Sequence, residues 1–146
     1  MKAGIDYIGV GVGAVIINDN NEILLTLRGK KAKNEKGTWE IPGGAIEFGE
    51  TLEAGLIREV KEELDIEIDV LKLIQVCDHL IPTEKQHWVA PSYLCKIVKG
   101  KPTIMEPEKC DKIDWFSLEE AQKLKLSIVT KKDIDYLIEY PEVLNF

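Results

Sequence analysis

Gly43-Gly44-Ala45-Ile46-Glu47-Phe48-Gly49-Glu50 runs directly into Thr51-Leu52-Glu53-Ala54-Gly55-Leu56-Ile57-Arg58-Glu59-Val60-Lys61-Glu62-Glu63-Leu64-Asp65-Ile66, and this stretch decides the fold. Its second half predicts a helix over 51–64. Leu56, Ile57, Val60 and Leu64 recur at helical spacing, Thr51 or Glu50 is placed to cap the start, and Asp65 marks the end. Glu59, Glu62 and Glu63 stand at i, i+3 and i+4 and share one face, roughly 120° from the apolar stripe. One side can dock on a sheet while the other lines a cleft.

Like charges at these spacings are unfavourable by roughly a few tenths of a kcal/mol per pair. Bound cations would offset that cost, and oxygen-only ligands select hard ions, so magnesium or manganese is expected and zinc is not. Three glutamates on a helix are also what a solvated face looks like; the residues ahead of them separate the two readings. Pro42-Gly43-Gly44 lets backbone come close to a metal and its substrate, with the carbonyls as further oxygen ligands. Arg58 adds a fixed positive charge that can orient Glu50 or Glu59 through a bidentate pair.

Working outward, Tyr7 to Ile17 is rich in valine and isoleucine with Gly9, Gly11 and Gly13 alternating through it. It predicts a strand with one bare face against which something packs closely. This is no dinucleotide fingerprint, since it is not GxGxxG and leads into a strand. Asn18 to Asn21 is a turn cluster, and Glu22 to Arg28 is expected to complete a hairpin. Lys30 to Gly37 is a basic loop, and Thr38 to Ile41 a short strand. Ile66 to Val76 and Trp88 to Val98 predict two strands of a hairpin with a long loop holding His79, Pro82 and His87. Histidines between strands are most often structural, and these two are assigned no catalytic role. Ile113 to Phe116 predicts a last strand. Ser117-Leu118-Glu119-Glu120 is a capping box opening a short helix to Lys123, and Lys131 to Tyr140 predicts a terminal helix stopped by Pro141.

The 146 residues, 45% hydrophobic and 31% charged, predict one domain over 1–146. No apolar run approaches the roughly eighteen residues a membrane span needs, and the first residues lack the apolar stretch of a secretory signal. A cytoplasmic location without membrane attachment is expected. A net charge of -7 argues against binding a nucleic-acid polymer. It does not argue against a phosphorylated small molecule, because metal ions on grouped carboxylates reverse the local field. Cys77, Cys95 and Cys110 are too few and too scattered for a disulfide framework and read as reduced thiols. There is neither a GxxxxGK[ST] phosphate loop nor an HExxH zinc motif.

The order Gly44, five residues, Glu50, seven residues, Arg58-Glu59, two residues, Glu62-Glu63, with hydrophobic Val60 and Ile66, resembles the Nudix box. That box is the signature of hydrolases that cleave nucleoside diphosphates linked to a further group. The one departure is Asp65, where the family usually has glycine; aspartate tolerates the left-handed conformation that ends such a helix. The resemblance implies an α/β fold, a Nudix α/β/α sandwich with a mixed sheet between helices. It also implies metal held by Glu59, Glu62, Glu63 and the Gly43 carbonyl. Glu50, Arg58, Glu59 and Glu62 are the candidate catalytic group, one of the carboxylates being the base.

Family members often recruit one more acidic residue from a loop before the last strand, and within Glu106-Pro107-Glu108 the choice falls on Glu108. Arg28, Gly44 and Trp115 are the expected substrate contacts, Trp115 by stacking on a base, and Lys30, Lys31 and Lys33 are secondary candidates for the phosphate. The run Glu106 to Cys110 with Asp114-Trp115-Phe116 is similar to Nudix proteins of the mutator type. These convert nucleoside triphosphates to monophosphate and pyrophosphate. A small nucleotide is thus the expected partner, and a homodimer the expected assembly, as is common in the family. An ADP-ribose or dinucleoside-polyphosphate pyrophosphatase is the alternative, and a non-catalytic nucleotide-binding module the second.

Overall fold

Alternation along the first strand sets the layers. In the computed structural model, which describes residues 1–32 and 35–145, β1 (Gly9–Ile16) turns Val12, Ala14 and Ile16 into one apolar cluster and Val15 into another. A strand buried on both faces needs cover on both. Helix α1 (Leu52–Leu64) closes the first cluster with Leu56, Val60 and Leu64. Helix α3 (Ile128–Glu139) closes the second with Ile134 and Leu137, joined by Ala121 of α2 (Leu118–Gln122). This is the expected α/β/α sandwich.

The sheet between the helices is divided. β4 (Gly43–Ala45) runs antiparallel to β1, β1 runs parallel to β6 (Gln86–Lys99), and β6 runs antiparallel to β5 (Glu67–Ile81), giving the order β4-β1-β6-β5. A second, antiparallel sheet has the order β3-β2-β7, from Trp39–Glu40, Ile23–Arg28 and Cys110–Phe116. The expected β1–β2 hairpin does not form, and only an isolated Ile17–Ile23 bridge joins the two strands. Both edges of β1 are already taken, by β4 and β6, so β2 must find its partners elsewhere.

Other expectations shift less. β5 and β6 continue through His79 and His87, so their connection is the single turn Pro82–Glu84 with Lys85 left-handed, not a long loop. Thr51 caps α1 by accepting from the Ala54 N–H, and Asp65 ends the helix left-handed at φ 54°. Ile57 is 39% exposed and leaves the apolar stripe to Leu56, Val60 and Leu64. The Ser117–Glu120 capping box is present on both sides. Among the described residues no helix is long and apolar enough to cross a membrane.

Asp133, fully buried on α3, ties that helix to the sheet. Its carboxylate accepts from Ser92 Oγ on β6 at 2.6 Å and from Gln75 Nε2 on β5 at 2.7 Å. Burial pushes its pKa up, and the bonds from Ser92, Gln75 and Cys77 work against that. Asp133→Ala would leave a buried hydroxyl and amide without partners, at a cost of about 2 kcal/mol. We expect thermal melting to show Tm lowered by about 5 °C, and Asp133→Asn, which keeps an acceptor, to lose less.

Candidate active site

Arg58 is the hub of the box. From the middle of α1 its Nε and Nη2 reach the two oxygens of Glu50 at 3.0 and 2.6 Å, a bidentate clamp. Nη1 reaches Glu59 at 3.0 Å and Glu62 at 3.3 Å, and Nη2 also donates to the Ala45 carbonyl at 3.2 Å. Glu50 in turn accepts from the Glu47 N–H at 2.8 Å, so one guanidinium pins the whole 45–50 loop to the helix. The Arg58 hydrogen bonds, with the Glu47 N–H, hold the Glu50 carboxyl down at about 2, and these partners push the guanidinium further up.

The carboxylates on the inner side are under the opposite pressure. Burial pushes Glu63 well above the ordinary range, the charges of Glu40, Glu59 and Glu106 push it further, and a hydrogen bond from the Gly43 N–H opposes them. Glu59 is raised by burial against Arg58, with Glu62 and Glu106 adding to the rise. Glu40 is raised by burial although Arg28 Nη1 reaches its oxygens at 2.9 and 3.2 Å. Gly44 makes this crowding feasible, because a side chain there would collide with the Glu59 carboxylate.

A half-buried group of hard oxygens carrying excess negative charge fits a hard divalent cation. Among the described residues no three acidic, histidine or cysteine side chains yet close on one point, since Glu59 and Glu62 are turned onto Arg58. Residues able to hold such an ion are Glu63, with Glu59 and Glu62 on release from Arg58.

Beside this group lies a cavity of about 270 Å³. Its floor is the bare face of β1 at Gly11 and Gly13, and its wall includes Gly43, Gly44, Arg28 and Glu40. The expected close packing on the glycines is real. Side chains added at Gly9 and Gly13 would strike the Trp88 indole and Ile41.

The candidates divide on this geometry. Glu50, Arg58, Glu59, Glu62, Glu63, Gly43 and Gly44 stand together, and Arg28 faces the cavity. Trp115 does not face it. β7 alternates, so Ile113 and Trp115 pack against the α1-side core, and the tryptophan lining the cavity is Trp88. Glu108 is exposed, whereas half-buried Glu106, paired with Lys109 at 3.3 Å, is the loop carboxylate whose charge reaches Glu59 and Glu63. A turn in which the Lys109 and Cys110 N–H groups bond the Glu106 carbonyl carries Glu106 inward. Lys30 and Lys31 are exposed and do not line the cavity, and Lys33 lies outside the described residues. Sequence reasoning missed Glu40, whose neighbours Arg28 and Glu63 are remote in the chain.

Lysine cannot bridge several carboxylates as a guanidinium does. In Arg58→Lys we expect amide exchange at Glu47 to speed up by about tenfold or more while the α1 core amides stay protected. Unchanged protection at Glu47 would mean the loop is held by something other than Arg58.

Residues 8–136 match the NUDIX domain. The 8-oxo-dGTP diphosphatase of Escherichia coli (strain K12) is 33% identical over 109 residues, covering 75% of this chain and 79% of that protein. An ADP-ribose pyrophosphatase of Methanocaldococcus jannaschii is 28% identical over 117 residues, 79% of this chain and 65% of that one. The crystal structure of a MutT NUDIX hydrolase from Burkholderia pseudomallei superposes with a TM-score of 0.83 at 34% identity, covering 90% of this chain and 99% of that one. Other relatives are longer, and the chain spans 22% to 40% of their length. With the box, the sandwich and the domain match in agreement, the chain belongs to the NUDIX domain family.

Proposed function

We propose that the protein hydrolyses a nucleoside triphosphate, or a related nucleoside diphosphate derivative, at a pyrophosphate linkage, giving nucleoside monophosphate and pyrophosphate. The observation that carries this reading is the half-buried, mutually repelling group of Glu40, Glu59, Glu63 and Glu106 beside a cavity of small-molecule size. Such a group is costly unless it serves a cation, and the family match supports phosphate-anhydride chemistry as that service.

Glu59, Glu62 and Glu63, with the Gly43 carbonyl and Glu106, would hold magnesium or manganese. When bound, the metal supplies charge neutralisation on the phosphates and a more acidic water. The chain's own residues do the rest. Water attacks one phosphorus as the bridging P–O bond breaks, and its proton passes to a carboxylate. One of Glu59, Glu62 and Glu63 serves as that base. Arg58 keeps Glu50 and the 45–50 loop in place so that Glu59 and the Gly43-Gly44 backbone stay aligned. Arg28, on the cavity wall, is placed to steady a phosphate that is not being attacked. The nucleoside then lies along the glycine floor of β1, beside Trp88.

The test is product analysis of the protein with magnesium and a panel of nucleoside triphosphates, ADP-ribose and dinucleoside polyphosphates. Monophosphate and pyrophosphate from a triphosphate are expected. Preferential cleavage of ADP-ribose would favour the activity named for the M. jannaschii relative, and no turnover on any member would remove the enzyme reading. We also expect Glu62→Gln and Glu63→Gln to lose turnover by about a hundredfold or more while still melting cooperatively; a parental rate in either would refute the metal assignment.

A further inference from the structure

In the same cavity as the Gly43-Gly44 backbone, two polar side chains that the proposed chemistry does not use face each other. Glu35 Oε2 lies 3.6 Å from His79 Nε2, and both residues line the cavity with Arg28, Glu40 and Trp88. That separation is too long for a hydrogen bond. Among the described residues, His79 Nε2 is a buried side-chain nitrogen with no hydrogen-bond partner in the protein. A buried polar atom left in that state is costly, and it asks for an explanation.

Glu35 is held firmly on its other side. Its Oε1 accepts from the Ile128 N–H at the start of α3 at 2.8 Å, standing in for Ser127, whose hydroxyl bonds Thr130 and makes no cap. Its own carbonyl accepts from Thr38 Oγ1 at 2.6 Å. Burial pushes the Glu35 carboxyl up, but His79 and the Ile128 N–H outweigh it and hold the group below its usual range. Oε2 is thus a carboxylate acceptor on a fixed support, 3.6 Å from an imidazole nitrogen with which it can form an ion pair but no hydrogen bond.

We propose that Glu35 and His79 are the specificity-determining pair of this site, reading a nucleobase edge that carries an exocyclic amino group beside a ring nitrogen. The inference rests on the nucleotide reading given above. An ionised carboxylate can only accept, so Oε2 calls for an N–H, and an amino group on the base supplies it as a charge-assisted bond. The Nε2–H tautomer of His79 then donates to the adjacent ring nitrogen. Adenine and cytosine present this amino-and-ring-nitrogen edge, as guanine does through its 2-amino group and N3, whereas hypoxanthine and uracil put a carbonyl where the amino group of adenine or cytosine would be. A carbonyl against Oε2 sets two acceptors face to face in a partly desolvated cavity, and a site built around hydrogen bonds rejects such a ligand strongly. Arg28, Glu40 and the Gly43-Gly44 backbone line the same cavity as the pair, so one nucleotide can meet both base-reading and phosphate-binding groups.

The substitution that tests this is Glu35→Gln. The glutamine carbonyl can keep the Ile128 N–H bond while its amino group takes the place of Oε2, turning the acceptor into a donor. In the parent, kcat/KM should favour ATP over ITP and CTP over UTP by about tenfold or more. In Glu35→Gln both ratios should collapse or invert with Tm nearly unchanged, and His79→Phe should lose most of the discrimination as well. Calorimetric titration with AMP and IMP in the presence of EDTA reads the same preference without turnover. Loss of the AMP preference in Glu35→Gln would thus support the pair even if no triphosphate were hydrolysed. Ratios unchanged in Glu35→Gln, or a lowered Tm with the AMP and IMP affinities in their parental ratio, would overturn the proposal and leave Glu35 as a helix cap alone.

Discussion

Glu63 is half-buried among carboxylates. Glu40, Glu59 and Glu106 all act on it through space, and Arg58 is committed to Glu50, Glu59 and Glu62. Much of the remaining architecture can be understood as what allows that arrangement to exist. Leu56, Val60 and Leu64 anchor the other side of α1 in the core, so the helix persists despite like charges at i, i+3 and i+4. Gly44 leaves room for the Glu59 carboxylate, and Gly43 offers its N–H to Glu63. The bidentate Arg58–Glu50 pair closes the loop over which β4 passes into α1.

The divided sheet gives the cavity its position. β1 is buried on both faces over its last three residues, but ahead of them it carries Gly9, Gly11 and Gly13, and there the α3 side of the strand has no side chains of its own. The cavity occupies that bare strip, with Trp88 and Ile41 on its borders and the β3–β4 corner at its mouth. Asp133 keeps α3 seated on β5 and β6, and the start of α3 in turn carries Glu35 through the Ile128 N–H. Core packing, helix capping and the pocket wall are thus one connected set of interactions.

Local signals were legible in the sequence, and long-range ones were not. The Thr51 cap, the left-handed Asp65 and the Ser117–Glu120 capping box each depend on residues within a few positions of one another, and all three were readable. The Asn18–Asn21 cluster was read correctly as a turn, but whether a turn joins paired strands depends on who else occupies the edges of β1. Trp115 and Trp88 are equally plausible aromatics in sequence, and only strand alternation in two different sheets puts one in the core and the other on the cavity. Glu106 and Glu108 are one residue apart from symmetrical, and the turn at Lys109 and Cys110 decides between them. Glu35 and His79 come from distant segments with no shared pattern, so nothing local announces the pair.

The central claim is that Glu63 sits in a carboxylate group that is unfavourable alone and favourable with a cation. A carboxyl whose folded pKa is raised destabilises the fold while ionised, and the penalty fades as pH falls through that raised value. The direct measurement is the melting temperature of the parent and Glu63→Gln at neutral pH, each in EDTA and in millimolar magnesium. The account predicts that Glu63→Gln melts about 2–4 °C higher than the parent in EDTA, that magnesium raises Tm of the parent only, and that the gap in EDTA closes in mild acid. A Glu63→Gln protein that melts lower than the parent in EDTA, or that keeps the full response to magnesium, would contradict it.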